Sequence, residues 1–577
     1  MTQVIRGSKF LWQLPEPLPQ EAITTLSQHI QLSTPILELL IRRGYSTVDL
    51  FDQFLITPRE QLVADPALLV DAEKAVDRLL HAIKNEEKIL IVGDYDVDGM
   101  TSTALLMLAL LPIGARVNFF LPHRIKDGYG LSPKIVERAA TSGYSLIITV
   151  DNGIAAHDAA LCAQERGVDL IITDHHRPQN ELPPAHAVVN PWRSDCPYPF
   201  KHLAGVGVAF KLLTLLYEKI GRELPEQSEE LLALGTIADV MPLVGENRYW
   251  VRRGLRQIND RESLAIRTLR TNARLSRKIT ALDIGFFLTP QLNALGRLDD
   301  PRSAITFLIS NNEEEVARIG AQLYQLNQDR RTIENEVISS VTNQIKQGLI
   351  NPLKEKILIA ADGSWPAGVI GLAASRLVSL YGRPVILLHD VGNGTLKGSG
   401  RSIPAFNLFD GLSEAQDLLM HFGGHAAAAG LAVQSENLML LKQRLTEKID
   451  RELKPEDFEQ RIQCDASLSM SELNGKLCRD LAYLEPFGPG NEKPTFYLSE
   501  VSVIGQPVIY KDAHVRFSAF ADGVIKPIIF FNRPDIFSTI LTAENQTFDC
   551  AVHVTENEWE GRKRVELQGV DIALHGA

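Results

Sequence analysis

The sequence is poor in cysteine: Cys162, Cys196, Cys464, Cys478 and Cys550 are the five in 577 residues, and no two lie at a metal-ligand spacing. This excludes a thiolate zinc site and a disulfide scaffold, and it leaves the thiols as small buried hydrophobes of a reducing compartment. Long apolar runs are lacking as well. Leu105 to Leu121 is the greasiest stretch, but Pro112 and Arg116 break it, and Met1 to Leu14 has no apolar signal core. Neither secretion nor membrane insertion is expected, and a cytoplasmic location follows. Positive charge is in deficit, with 59 Lys and Arg against 71 Asp and Glu, which excludes a broad basic face for duplex DNA. Any nucleic-acid contact is confined to a local groove. Heptads, internal repeats and low-complexity tails are also missing. The 45% apolar and 23% charged residues are ordinary for a globular chain, and 577 residues call for three or four domains.

What is present is a set of apolar strands that each run into an acid or a histidine. They are Ile91-Val92-Gly93-Asp94-Tyr95-Asp96-Val97-Asp98-Gly99, Ile147-Ile148-Thr149-Val150-Asp151-Asn152-Gly153 and Ile171-Ile172-Thr173-Asp174-His175-His176. Acids at strand ends are common turn formers, and one such segment would mean no more than that. Three of them, with a double histidine, predict convergence at the carboxyl ends of a parallel sheet. Carboxylates brought within about 4 Å repel by about 4 kcal/mol per pair at an effective dielectric near 20. Such a cluster needs cations, and one imidazole among carboxylate oxygens favours Mn²⁺ or Mg²⁺ over Ca²⁺.

Strand and helix alternate from Lys88: strands at 88–93, 115–121, 146–150 and 168–173, helices at 101–111, 133–140 and 155–166. This is the pattern of a doubly wound parallel α/β sheet. Helices are expected at 206–220 and 228–237, the second ending at Asp239, a fourth acid within reach of the crevice. From 311 the chain is polar with helical apolar spacing (Val316, Ile319, Leu323, Leu326, Ile333, Val337, Val341) and has neither Gly nor Pro between Ala321 and Gln347. A long linking helix over 311–347 is predicted. A second α/β domain opens at Ile357-Leu358-Ile359-Ala360 and carries the glycine-rich stretches Lys397-Gly398-Ser399-Gly400-Arg401-Ser402 and Phe422-Gly423-Gly424-His425. Their glycines are expected to open backbone N–H groups to phosphate oxygens. Beyond about 455, short strands separated by turns predict a small β-barrel. Domains are expected over 1–75 (a helical N-terminal segment), 76–310, 311–347, 348–454 and 455–577.

These motifs resemble those of the DHH phosphoesterase superfamily, in particular its branch of single-stranded-DNA exonucleases. The residues that carry the resemblance are Gly93 to Gly99, Asp151-Asn152-Gly153, Asp174-His175-His176 and Ala238-Asp239. Further matches are Gly128-Tyr129-Gly130-Leu131, Leu203-Ala204-Gly205-Val206-Gly207, Leu292-Asn293-Ala294-Leu295-Gly296-Arg297, Gly368-Val369-Ile370-Gly371, Gly423-Gly424-His425 and Glu485-Pro486-Phe487-Gly488-Pro489-Gly490-Asn491. The resemblance implies a DHH catalytic domain, a DHH-associated substrate domain and a C-terminal oligonucleotide-binding barrel. It implies two divalent ions, Mn²⁺ or Mg²⁺, one on Asp96 and Asp151, the other on Asp98, Asp151, His175 and Asp239, with Asp94 supporting the first. Val92 stands where many superfamily members carry a metal-binding histidine. His176 is expected as a donor to the phosphoryl group. Arg124, Ser399 and Arg401 are expected around a 5′-terminal phosphate, with Asn293 and Arg297 on the substrate backbone; beside the glycines, His425 is read as a further donor to phosphate oxygens.

The implied activity is 5′ to 3′ hydrolysis of single-stranded DNA to mononucleotides in recombination and repair, by a monomer that works with a helicase and a single-strand-binding protein. Two rivals are a phosphoesterase of short RNA or cyclic dinucleotides, which would lack the C-terminal barrel, and a non-catalytic scaffold, which would have lost metal-site acids. In the barrel, Phe496, Tyr497, Tyr510, Phe517, Phe520, Phe530 and Phe531 alternate mostly like core positions. Lys511, His514, Arg516, Lys526 and Arg533 are the basic candidates there.

Overall fold

A computed structural model of the chain describes residues 3–55, 59–123, 128–179, 181–542, 546–559 and 562–574. Two units are formed, one from Asp49–Gln328 with Leu484–Lys493, the other from Met1–Val48, Asp329–Tyr483 and Pro494–Ala577.

In the first unit, β1 (Lys88–Val92), β2 (Arg116–Phe120), β3 (Leu146–Val150), β4 (Asp169–Thr173) and β5 (Ala187–Val189) form one sheet in the order β2-β1-β3-β4-β5, parallel throughout. The central strands β1 and β3 read as nearly continuous apolar runs because both faces are covered, whereas the edge strand β2 carries Arg116 and Asn118. Ile89, Ile91, Ile148 and Ile171 face a core shared with α1 (Val97–Leu110). Leu90, Val92, Ile147 and Ile172 face the opposite core, under α2 (Pro133–Thr141) and α3 (His157–Glu165). Strand order reverses between β1 and β3, which opens a crevice beyond their carboxyl ends. Helices α4 (Gly205–Lys219), α5 (Ser228–Ala238) and α6 (Thr289–Leu298) follow, the last entered through a π-helical turn at Ile284–Leu288. The predicted long helix is α7 (Glu313–Lys346). Its Val316, Ile319 and Leu323 lie in the first unit's core, and its Val337 and Val341 in a core of the second.

In the second unit, β6 (Leu358–Ala361), β7 (Val385–Asp390), β8 (Thr395–Arg401), β9 (Leu419–His425) and β10 (Ala428–Gln434) form a sheet ordered β9-β10-β8-β7-β6, in which only β6 and β7 run parallel. Helix α8 (Ala367–Tyr381) covers Val385 and Leu387 on one face. The C-terminal strands β11 (Phe496–Tyr510), β12 (His514–Ala521), β13 (Val524–Phe530), β14 (Phe548–Trp559) and β15 (Arg562–Leu574) close into a five-stranded barrel, because β14 pairs with both β15 and β11. Phe496, Phe517 and Phe530 fill its core, whereas Tyr510, Phe520 and Phe531 stand on its surface. Arg533 is engaged internally by Asp535, Asp571 and the Val570 carbonyl. Of the cysteines, Cys196, Cys464 and Cys550 are buried and Cys162 and Cys478 are only half-buried. No helix among the described residues is long and apolar enough to cross a membrane.

The start of the chain includes two strands, Val4–Arg6 and Leu11–Gln13, and the second pairs in parallel with Arg461–Gln463. Asp571, fully buried, ties this edge to the barrel. It accepts from Ser8 Oγ (2.5 Å), the Phe10 amide (3.0 Å), Trp12 Nε1 (3.0 Å) and Arg533 Nη2 (2.9 Å). Removing one member of such a buried network leaves the others desolvated and unpaired. Asp571→Ala is therefore expected to destabilise this module by about 3–5 kcal/mol, read as earlier unfolding in urea. Arg166→Ala, which breaks an exposed pair with Glu137, should cost under about 1 kcal/mol.

Candidate metal centre

All three acid-bearing strand ends open into the crevice at the reversal of strand order. After β1 the chain turns directly into α1. Asp96 is the N-cap of that helix and accepts from the Gly99 amide (3.1 Å), while Asp98 lies in the first turn. Asp98 accepts from two amides at the start of α4, Gly205 (2.6 Å) and Val206 (2.8 Å), so one buried carboxylate joins two helix N-termini. The positive ends of both helix dipoles favour an anion there. After β3, Asp151 adopts a left-handed backbone (φ 61°), a conformation that Asp tolerates better than most residues. Asn152 secures the turn. Its Nδ2 donates to the Val92 and Val150 carbonyls (3.0 and 2.8 Å), and its Oδ1 accepts from the Leu131 amide (3.2 Å). Gly205 is required here by close approach, since a Cβ on it would lie 2.5 Å from that of Asp151.

Three overlapping sets of donor atoms result, one of them Asp151, His175 and His176. Asp94, Asp96 and Asp151 offer oxygens within 4.8 Å of one another, and Asp98, His175 and Asp239 form the third group. His175 Nε2 lies 3.1 Å from Asp151 Oδ1, 3.5 Å from Asp239 Oδ2 and 3.9 Å from Asp98 Oδ2. Asp239 reaches this point as the residue that ends α5. His175 Nε2, Asp151 Oδ1 and Asp239 Oδ2 are buried and without a hydrogen-bond partner. Three orphaned lone-pair atoms that converge on one spot fit a shared cation, which would satisfy all of them.

The electrostatics agree. Burial, and then the charge of Asp96, pushes Asp98 up to about 7; burial and the charge of Asp98 push Asp239 up to about 8. Asp151 is driven well above the usual carboxylate range by burial and by Asp98. Burial and neighbouring His176 hold His175 down at about 4, so its imidazole is neutral and free to ligate. The cluster is thus a set of acids unable to ionise together unless positive charge joins them.

Asp174 has a different task, one its sequence context did not reveal. Buried, it accepts from the amides of Ile154 (2.9 Å), His175 (2.7 Å) and His176 (3.1 Å), and from His176 Nδ1 (2.7 Å). It fixes the backbone at both histidines and the ring of His176, which it engages through Nδ1, leaving Nε2 as that ring's other nitrogen. Burial would lower the His176 pKa, but the hydrogen bond and charge of Asp174 outweigh it and raise it to about 9. Tyr129, whose hydroxyl donates to the Asp151 carbonyl (3.3 Å), sets its ring edge-on to Tyr95 and His176. Asn293 and Arg297 lie half-buried on α6, and α6 meets the first motif at Gly296, where a Cβ would lie 2.3 Å from the Tyr95 carbonyl oxygen. Arg124 lies outside the described residues.

The remaining predicted residues belong to the second unit. Strand register puts Arg401, Ala428 and His425 in one row across β8, β10 and β9, and Ser399, Gly430 and Gly423 in another. Residues directly opposite share a face, so Ser399 and Arg401 line one rim, His425 another, and small residues form the floor between them. Arg401 Nη1 donates to Ser399 Oγ (2.6 Å), and Gly371 of α8 packs on both side chains. Gly423 has open space where a Cβ would stand, but Gly398, Gly400 and Gly424 do not. At Gly398 and Gly400 a Cβ would strike the Leu387 carbonyl (2.1 Å) and the Leu408 side chain (2.6 Å), so these glycines serve close packing within the fold.

Comparison with known proteins matches residues 88–236 to the DHH family N-terminal domain, 354–451 to the DHHA1 domain and 464–571 to the RecJ OB domain. The single-stranded-DNA-specific exonuclease RecJ of Bacillus subtilis is 35% identical, over 98% of this chain and 71% of that protein. Its Escherichia coli counterpart is 38% identical, over 74% of this chain and 78% of that one. A crystal structure of RecJ in complex with Mn²⁺ from Thermus thermophilus superposes with a TM-score of 0.83 at 28% identity, covering 98% of this chain and 80% of that one.

Because the cluster is self-repelling, divalent metal should stabilise the metal-free protein. At a concentration a hundred times its Kd, Mn²⁺ is expected to add about 2.7 kcal/mol, measured as a rise in thermal midpoint that a chelator reverses. Asp151→Asn should raise the metal-free midpoint, by relieving repulsion, and remove most of the Mn²⁺ response. Gly205→Ala should weaken the response by displacing Asp98 and Asp151, seen as a Mn²⁺ titration shifted at least tenfold.

Proposed function

The chain belongs to the RecJ family of single-stranded-DNA-specific exonucleases, and on that premise we propose that it removes mononucleotides from the 5′ end of single-stranded DNA with two divalent ions, Mn²⁺ or Mg²⁺. The observation that carries this reading is the trio of buried, partnerless atoms, Asp151 Oδ1, His175 Nε2 and Asp239 Oδ2, at the crevice of a parallel sheet. Asp96 and Asp151, with Asp94 beside them, would hold one ion; Asp98, Asp151, His175 and Asp239 would hold the other. When bound, the pair supplies acidity to the attacking water and charge to the phosphoryl oxygens. His176, anchored through Nδ1 by Asp174, offers its other nitrogen as a donor to the phosphoryl group. Asp174 keeps that imidazole oriented while the phosphorus changes geometry.

The second unit supplies the grip. Ser399 and Arg401 form a fork for a terminal 5′-phosphate, to which Arg124 contributes by family resemblance, and His425 faces them across the small-residue floor. Asn293 and Arg297 hold the strand's backbone. A pocket that stops the strand at its 5′ end accounts for the direction of digestion. Residues 76–310 are assigned to catalysis, 311–347 to the linking helix, 348–454 to substrate binding and 455–577 to the oligonucleotide-binding fold. The enzyme works as a cytoplasmic monomer in recombination and repair, with a helicase and a single-strand-binding protein opening and presenting its substrate.

The assay is direct. In Mn²⁺, the protein should release nucleotide from a 5′-labelled single strand, and not from a blunt duplex or a dinucleotide-sized RNA. Equal cleavage of the short RNA would point to a small-substrate phosphoesterase, and no cleavage at all to a scaffold. Asp151→Ala should lower kcat by at least a thousandfold. Arg401→Ala should instead erase most of the preference for a phosphorylated over a hydroxylated 5′ end, measured as the ratio of kcat/KM on the two substrates.

A further inference from the structure

Phe286 is the most exposed phenylalanine among the described residues, at 68%, and its neighbour Phe287 is 41% exposed. Both stand in the π-helical turn Ile284–Leu288 that leads into α6. Such turns are rare and recur at functional sites. Scattered exposed apolar residues are ordinary, so two adjacent rings gain meaning only from their position. Here the position is specific at both ends of the segment. At its start, the backbone at Gly285 lies against Ile237, where a Cβ would be 3.7 Å from Ile237 Cγ2, two residues before Asp239. At its end, Gly296 lies against the Tyr95 carbonyl, between Asp94 and Asp96. The run from 284 to 298 therefore leans on two of the segments that bring acids to the metal centre.

The exposed side of this run is continuous. Thr289, Gln291, Leu292, Ala294 and Leu295 are buried, whereas Pro290, Asn293 and Arg297 are half-exposed at helical spacing. Gln291 braces the junction from beneath, its Nε2 donating to the Phe287 carbonyl (2.9 Å) and the Leu269 carbonyl (3.0 Å). A stripe results that carries a cation and an amide at one end and two open aromatic faces at the other. Single-stranded nucleic acid is recognised by that combination, a polar track for the backbone and rings for the bases.

We propose that Phe286 and Phe287 form a base-stacking platform for the strand, continuous with Asn293 and Arg297. This rests on the nuclease reading and deepens it, because it assigns strand selectivity to rings that only unpaired bases can cover. Duplex DNA, its bases already stacked on one another, has no free faces to offer them.

The test uses the full chain with Mn²⁺ and a twenty-nucleotide thymidine strand. Loss of one stacked base costs roughly tenfold in affinity. Phe286→Ala should therefore raise KM by about that factor, and by more than it lowers kcat, with the thermal midpoint held within about a degree because the ring is exposed. Phe286→Trp should restore KM, and its added fluorescence should be quenched by the strand. Phe286→Leu, apolar but without a π face, should behave like the alanine variant. The proposal is overturned if Phe286→Leu matches the unaltered protein, which would mark a packing or protein-docking surface, or if Phe286→Ala leaves KM unchanged. Failure of the unaltered protein to cleave the strand would instead sink the nuclease reading, so the two failures are separable.

Discussion

Crowded negative charge inside a low-dielectric crevice is the constraint that the first unit is built around. Asp98, Asp151 and Asp239 are held close enough to raise one another's pKa, and no group among the described residues neutralises them all. The fold meets part of this burden with dipoles: Asp98 receives two amides from the start of α4 while sitting in the first turn of α1. The remainder is left for cations. This division explains why the site is assembled from the ends of rigid elements. Repelling groups stay together only when the elements that carry them are fixed by large cores, and here those cores lie on both faces of the sheet.

Much of this was legible from residue order, because the signals are local. A short, mainly apolar run that ends in Asp151 or Asp174 is at once a strand, its stop and its chemistry. The helical spacing of α7 likewise spans one continuous segment. Illegible features depend on partners far along the chain. Asp174 looks like a ligand beside His175, and only the amides and imidazole around it reveal a carboxylate already in use. Arg533 looks like a free basic residue until Asp571 appears beside it, 38 positions later. Gly398 and Gly400 carry the composition of a phosphate loop, yet their missing side chains make room for Leu387 and Leu408. Composition cannot separate a glycine that admits a ligand from one that admits a neighbouring strand.

The two units present different surfaces. The first concentrates charge, orphaned lone pairs and an oriented imidazole. The second offers a sheet surface whose floor of Ala428 and Gly430 leaves its backbone uncovered between polar rims. Neither surface resembles the broad basic plate of a duplex binder, which accords with the net charge of −12.

The latch at Asp571 has a bearing on how the polypeptide comes into being. Ser8, Phe10 and Trp12 reach their buried acceptor only after more than five hundred and fifty further residues have been synthesised. Domains fold as units during translation, the earlier ones first. Nearly all of Asp49–Gln328 is ready to collapse while Ser8, Phe10 and Trp12 still wait for Asp571, so residues made before that unit settle after it, and a product cut short of Asp571 leaves their donors without that acceptor.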